Sequence, residues 1–247
     1  MGIALGAHTS VAVNSAASAA QASSAITTTT GSTVVALACY TGTWVSFTDS
    51  QGNTWVQVGT QQTVGGLLAR AFRCDNITGH AAHTFTVTLS VAGNAVSFWV
   101  VEATGAATAS IDGETMGADA TTPFDSAGLT TTQAAEMLIS IIAEDVPGAG
   151  NITHACGSSF TAITADEIID TDRLVTGISS YRIVAATGTY NSSVTLSLSP
   201  NSTGIVLVAI KEAAGGGGGG GGSDAGMGGT IGRRPLRPRP FAPGLAR

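Results

Sequence analysis

"HTFTVTLS" (residues 83–90) sets Phe85, Val87 and Leu89 on one side of an extended chain and Thr84, Thr86 and Thr88 on the other. "SSVTLSLS" (residues 192–199) repeats the scheme, with Val194, Leu196 and Leu198 opposite Ser193, Thr195 and Ser197. A period of two means a strand with one packed face and one wet face. "AVSFWVVEA" (95–103), "EMLISIIAED" (136–145) and "TGIVLVAIKEA" (203–213) are instead nearly continuous apolar runs. Such runs mark central strands, or strands whose outer face is covered as well. Further strands are expected at 33–41, 66–74, 160–165 and 174–187. "VSFTDSQGNTWVQVG" (45–59) reads as a strand, a turn over Asp49–Asn53 and a returning strand.

Composition agrees with this pattern. Of 247 residues, 34 are Thr, 23 Ser and 33 Gly, and Lys211 is the sole lysine. Threonine suits the pleated, half-buried surface of a strand, while serine and glycine serve turns. "VNSAASAAQASSA" (13–25) is alanine-rich but lacks an apolar stripe, so it is expected to be extended or loop. The expected fold is all-β: a single jelly-roll-like β-sandwich of about ten strands with an extended C-terminal arm. Its parts are an N-terminal extended segment (1–24), the sandwich (25–213), a glycine-rich linker (214–230) and a Pro/Arg-rich arm (231–247).

The arm has its own chemistry. "GGGGGGGG" (215–222) brings no side chain to bury and loses the most backbone freedom on ordering. As a coil, the residues after Ala213 reach about 30–35 Å on average, and on the order of 110–120 Å fully extended. The tip "IGRRPLRPRPFAPGLAR" carries four prolines that exclude helix and central strand and favour a pre-extended, polyproline-like chain. Arg233, Arg234, Arg237 and Arg239 are suited to carboxylates, with Leu236 and Phe241 as apolar anchors. Residues 1–212 hold five cations against fifteen anions, a net charge of −10, whereas 213–247 hold five arginines against Asp224, a net charge of +4. An acidic body with a basic tail suits docking on a neighbouring copy or on another acidic protein shell, and makes the body a poor nucleic-acid binder.

The succession "SFTDSQGNTWVQVG", "LLARAFRCDNITG", "HTFTVTLS", "VSFWVVEATG", "TTTQAAEMLISIIA" and "STGIVLVAIKEA" resembles a family of Ser/Thr-rich β-sandwich domains. These recur in tailed-bacteriophage virion proteins and in uncharacterised bacterial and prophage proteins. The resemblance spans about residues 25–213 and rests on strand and turn patterns around a loose "TDSxGNT" core. It implies a virion structural or surface module and brings no catalytic residues. The Pro/Arg-rich arm is not part of the pattern.

Candidate chemistry is sparse. "NITHACGSSF" (151–160) gathers His154, Cys156 and Ser158, but nothing marks an oxyanion hole, and a polar loop is the expected reading. His80 and His83 form an isolated HxxH without acidic or cysteine companions, so no metal site is expected. Cys39, Cys74 and Cys156 match no metal spacing, and Cys39 is expected to be a buried free thiol. "ADEIIDTDR" (165–173) crowds Asp166, Glu167, Asp170 and Asp172 into an acidic loop that could receive an arginine arm. No ordinary signal peptide and no membrane span are expected.

The expected function is therefore a non-enzymatic bacteriophage virion protein, with no cofactor. A capsid decoration or cement protein is preferred: homo-oligomeric, assembled in the host cytoplasm and held by its arm to the major capsid or another virion protein. The alternative is a tail, neck or fibre component whose sandwich loops bind host-surface glycans, which would need solvent-accessible rings among Trp44, Trp55 and Trp99.

Overall fold

The two alternating stretches become strands of small outer sheets, and the continuous apolar runs become the middle of two large inner ones. The computed structural model describes residues 2–119, 122–145, 152–157, 159–168, 175–197 and 202–214. In the first half lie β1 (Ala4–Val13), β2 (Ala20–Ala22), β3 (Thr33–Tyr40), β4 (Trp44–Asp49), β5 (Val56–Val64), β6 (Leu67–Cys74), β7 (Phe85–Leu89) and β8 (Val96–Thr104). The second half holds β9 (Ala106–Asp119), β10 (Phe124–Asp125), β11 (Leu129–Thr130), β12 (Glu136–Asp145), β13 (His154–Cys156) and β14 (Thr161–Ala162). A 3-10 turn at Thr164–Asp166 follows, then β15 (Val175–Val184), β16 (Thr189–Tyr190), β17 (Ser193–Leu196) and β18 (Ser202–Glu212).

The sheet orders show that one plan occurs twice. The first large sheet runs β1-β8-β3-β6-β5 and the second β9-β18-β12-β15-β14; the outer sheets run β2-β7-β4 and β10-β17-β13. In each half the order is first-last-third-sixth, faced by second-seventh-fourth, once the extra β11–β16 pair of the second half is set aside. This is jelly-roll order. The all-β sandwich is thus the architecture, and its strands outnumber the ten or so expected because the roll is duplicated; the linker beyond Ala214 and the C-terminal arm lie outside the described residues. Residues 2–24 are built into the sandwich: β1 pairs along β8 from Ala4↔Thr104 to Val13↔Val96, and β2 pairs with β7.

Four layers result. Between the large sheets lies the main core, with Val35, Leu37, Cys39, Trp99 and Val101 against Met137, Ile139, Ile141, Val206 and Val208. The other face of the first large sheet packs Val34, Ala36, Phe98 and Val100 against Phe47, Phe85, Val87 and Leu89. The other face of the second packs Leu138, Ile142, Ile205 and Leu207 beneath Phe124, Leu129, Val194 and Leu196. Strands β3, β8, β12 and β18 are covered on both faces, which is why their sequences do not alternate. Each large apolar side chain so buried contributes about 1.5–3 kcal/mol.

Two local features differ from the sequence reading. The Asp49–Asn53 turn is a corner rather than a hairpin, because β4 belongs to the outer sheet and β5 to the inner one. Asp49 Oδ1 accepts from the amides of Gln51 (2.7 Å) and Asn53 (3.3 Å), and Gly52 supplies φ +70°. The strand expected at 160–165 shortens to β14 and turns into the 3-10 segment, where the Asp166 carbonyl accepts the indole N–H of Trp99 at 2.9 Å. Between the halves, Gly105 (φ +71°) makes the switch from β8 to β9; a Cβ there would lie 2.5 Å from the Gly2 carbonyl oxygen.

Candidate functional site

The residues that could carry chemistry are mostly bonded inward. His154, on β13, is fully buried at its side chain, with Nδ1 2.7 Å from Glu167 Oε1 and Nε2 3.1 Å from Glu144 Oε2. The Thr176 hydroxyl donates to the same Glu144 oxygen at 3.0 Å. Burial disfavours the imidazolium, but the Glu144 and Glu167 carboxylates outweigh it and hold His154 above its ordinary pKa. Cys156 lies two residues along the strand; burial pushes its thiol up, the Glu167 and Glu144 charges add to that, and Ser180 opposes it. The His154 imidazole, held between two carboxylates, and the Cys156 thiol thus belong to one hydrogen-bonded cluster on the inner side of β13. Ser158 lies outside the described residues.

The acidic stretch divides. Asp166 is 3% exposed, and its carboxylate lies 2.9 Å from His8 Nδ1 on β1. Burial holds Asp166 above its usual range against the opposing pull of His8 and Ser179. Since Glu167 is engaged by His154, these two carboxylates face the body, correcting the expectation that they front an open acidic loop. Asp170 and Asp172 lie outside the described residues, as do Arg233, Arg234, Leu236, Arg237, Arg239 and Phe241 of the arm.

The HxxH pair does not converge. His83 is fully buried: Nδ1 is 2.7 Å from Thr28 Oγ1, and Nε2 is 3.2 Å from Asp49 Oδ1. His80 Nδ1 instead accepts the Ala82 amide at 3.0 Å. Among the described residues no group of three or more His, Cys, Asp or Glu is placed to hold a metal ion. Cys39 and Cys74 are free and buried; burial drives both thiols up, that of Cys74 to about 11.

Besides Glu144, two further buried glutamates escaped the sequence reading. Glu102 on β8 is 1% exposed and accepts from the amides of Ala7 (2.8 Å) and Thr29 (2.6 Å) and from the Ser32 hydroxyl (2.6 Å), tying the start of β1 to the approach to β3. Glu136, at the start of β12, is fully buried beside Asp112 of β9. Burial and the Asp112 carboxylate push its pKa from 4.5 to about 7, so near neutrality it holds a proton for Asp112. Asp112 is correspondingly held low, by Thr132, by Glu136 and by Lys211 Nζ at 3.7 Å, in spite of burial. The available signal was a carboxylate inside an apolar run: Glu102 in "AVSFWVVEA" and Glu136 in "EMLISIIAED".

The tryptophans are unequally accessible. Trp99 is fully buried, and Trp55 is half-buried with its indole N–H donated to Asp49 Oδ2 at 2.7 Å. Trp44 is half-buried, stacked on Phe72 with ring centroids 5.3 Å apart, and the Arg70 guanidinium carbon lies 5.5 Å from its ring.

No protein-family model, curated protein or solved structure matches the chain. Among the described residues no pocket opens and no helix is long and apolar enough to cross a membrane.

Proposed function

We propose that the protein is a non-enzymatic structural module of a bacteriophage virion, a decoration or cement protein whose C-terminal arm attaches it to the major capsid or another virion protein. The observation that carries this reading is the partition of charge: a body of −10 and an arm of +4 joined by eight glycines. Opposite charge steers the arm of one copy towards an acidic surface, and the linker gives reach without fixing geometry. A proline-rich sequence restricts its own backbone, so docking it on a partner would cost little entropy while its arginines pair with carboxylates.

The body fits the role of a rigid support. Its histidines and thiols are engaged or suppressed as described, and the duplicated roll packs two sandwiches over one core. Jelly rolls serve in viral capsid and lectin domains, an analogy at the level of fold alone.

The test is co-sedimentation with undecorated heads of the encoding phage, comparing the full chain with a variant in which Arg233, Arg234, Arg237 and Arg239 are all glutamine. Binding by the full chain that weakens at high salt, and is lost in the variant, supports the tether. Equal binding by both would move the interface to the body, and binding by neither would remove the virion reading.

A further inference from the structure

Lys211, the sole lysine of the chain, stands between two acids. On β18 it is the direct partner of Glu136 on β12. On its other side β9 bulges: Ala209 pairs with Gly113 and Ile210 with Ile111, so Asp112 is the extra residue. A bulge re-aims a side chain, and Asp112 Oδ1 comes to 3.7 Å from Lys211 Nζ. The Asp112 side chain is 4% exposed and that of Lys211 28%. The Thr132 amide donates to Asp112 Oδ2 and the Thr132 hydroxyl to Oδ1. Glu136 is fully buried; its Oε1 accepts the Gln133 amide at 3.0 Å, whereas its Oε2 finds no donor. A buried oxygen so placed is costly as a carboxylate. As a carboxyl, Glu136 instead donates its proton to Asp112.

We infer that Lys211 and Asp112 become joined by an isopeptide bond, formed within the folded chain with Glu136 as general acid and base and Thr132 as oxyanion donor. The Lys211 ammonium first passes one proton to Asp112 Oδ1, which turns the ion pair into an amine and a carboxyl group. The Nζ lone pair then attacks Asp112 Cγ, and the negative charge gathers on Oδ2, where the Thr132 amide already points. Glu136 protonates the Oδ1 hydroxyl, which leaves as water as the C–O bond breaks. The Glu136 carboxylate so formed takes the surplus proton from Nζ and is restored. The sum is one ammonium and one carboxylate giving one amide and one water, with no oxidant or cofactor. Proximity supplies the effective concentration that a free amine and acid lack, and burial of Asp112 and Glu136 keeps out the water of the reverse reaction. Closure is a maturation step: until it occurs, Glu136 and Asp112 remain the acid pair described above. The bond ties β9 to β18, the strand that leads in sequence into the glycine run. Its use in resisting a pull on the arm rests on the tether proposed above, whereas the chemistry depends on the body alone.

The test is intact-mass spectrometry of the full-length chain, denatured at intervals over a week of incubation at neutral pH, followed by tryptic mapping. The expected result is progressive loss of one water, about 18 Da. Trypsin should cease to cut after Lys211, and a branched peptide should join Lys211 to Asp112. Like a disulfide, the bond constrains the unfolded chain, so Tm should rise on the order of 10 °C as it closes. Lys211→Arg keeps a cation beside Asp112 but has no amine nucleophile, and should stay at full mass. Glu136→Gln keeps the shape of the side chain but has no carboxyl proton to give, and should close about a hundredfold more slowly. Cooperative unfolding of both variants, followed by circular dichroism, separates a lost bond from a lost fold. A wild-type chain still at full mass after the week would overturn the inference. So would equal loss of water in Lys211→Arg, the mark of a cyclic imide at Asp112–Gly113, or a branched peptide joined at Glu136.

Discussion

Replacing Glu136 by glutamine should stabilise the protein at neutral pH, although it alters a fully buried residue. Glutamine keeps the geometry: its carbonyl oxygen can accept the Gln133 amide as Glu136 Oε1 does at 3.0 Å, and its NH₂ can donate to Asp112 in place of the carboxyl proton. The titration is what changes. In the folded chain Glu136 has a pKa of about 7, against 4.5 unperturbed. Between those values the folded state holds a proton that the unfolded state has released, so wild-type stability falls as pH rises through this window and then levels off. A displacement from 4.5 to about 7 corresponds to on the order of 3 kcal/mol. Urea unfolding of both proteins at intervals from pH 4 to pH 8 isolates the Glu136–Asp112 pair, because titrating groups that do not interact with it, His154 included, cancel in the difference. The variant should gain on wild type steadily from about pH 4.5 to 7 and hold its advantage above. Parallel stability curves would refute the assigned carboxyl–carboxylate pair.

Three further outcomes follow from the packing and charge. His154→Leu leaves the fully buried Glu144 without its imidazole partner and should cost about 3–5 kcal/mol, a fall in Tm on the order of 10 °C by calorimetry. Because the folded pKa of His154 is raised, its contribution is complete below the ordinary value of 6.5 and is lost as pH rises through the folded pKa; the gap between wild type and variant should close on the alkaline side. Gly177→Ala would place a Cβ 2.2 Å from the Ile142 carbonyl oxygen and 2.7 Å from the Trp99 ring, between the large sheets, and should destabilise by about 1–3 kcal/mol or more in denaturant titration. Cys39 and Cys74 should resist a thiol reagent at neutral pH until the chain is unfolded, as followed by absorbance.

Much of the architecture was legible because burial writes itself into the period of a strand. "HTFTVTLS" alternates because β7 is an outer strand, and "EMLISIIAED" does not because β12 is covered on both faces. The duplication was hidden: the halves share strand order, but side-chain identity is free wherever an apolar residue of suitable size fills the layer. Corners were hidden too, since Asp49–Asn53 carries the same turn chemistry whether the next strand returns to its own sheet or crosses to the other. The ion clusters were not legible at all. Glu144 and His154 are ten residues apart, but His8 and Asp166 lie far apart in the chain and meet only because the 3-10 turn packs beside β1. Sequence position made Asp166 and Glu167 look like an open acidic loop, whereas packing turned each towards a histidine.

The central claim is that residues 215–247 suffice to attach whatever folded body precedes them. The most direct measurement grafts this segment onto an unrelated, neutral carrier domain and follows its co-sedimentation with undecorated phage heads, the partner proposed above, across a salt series. The account predicts binding by the carrier that falls steeply with salt and competes with the full-length protein. A carrier that stays in solution, while residues 1–214 alone sediment with the heads, would contradict it.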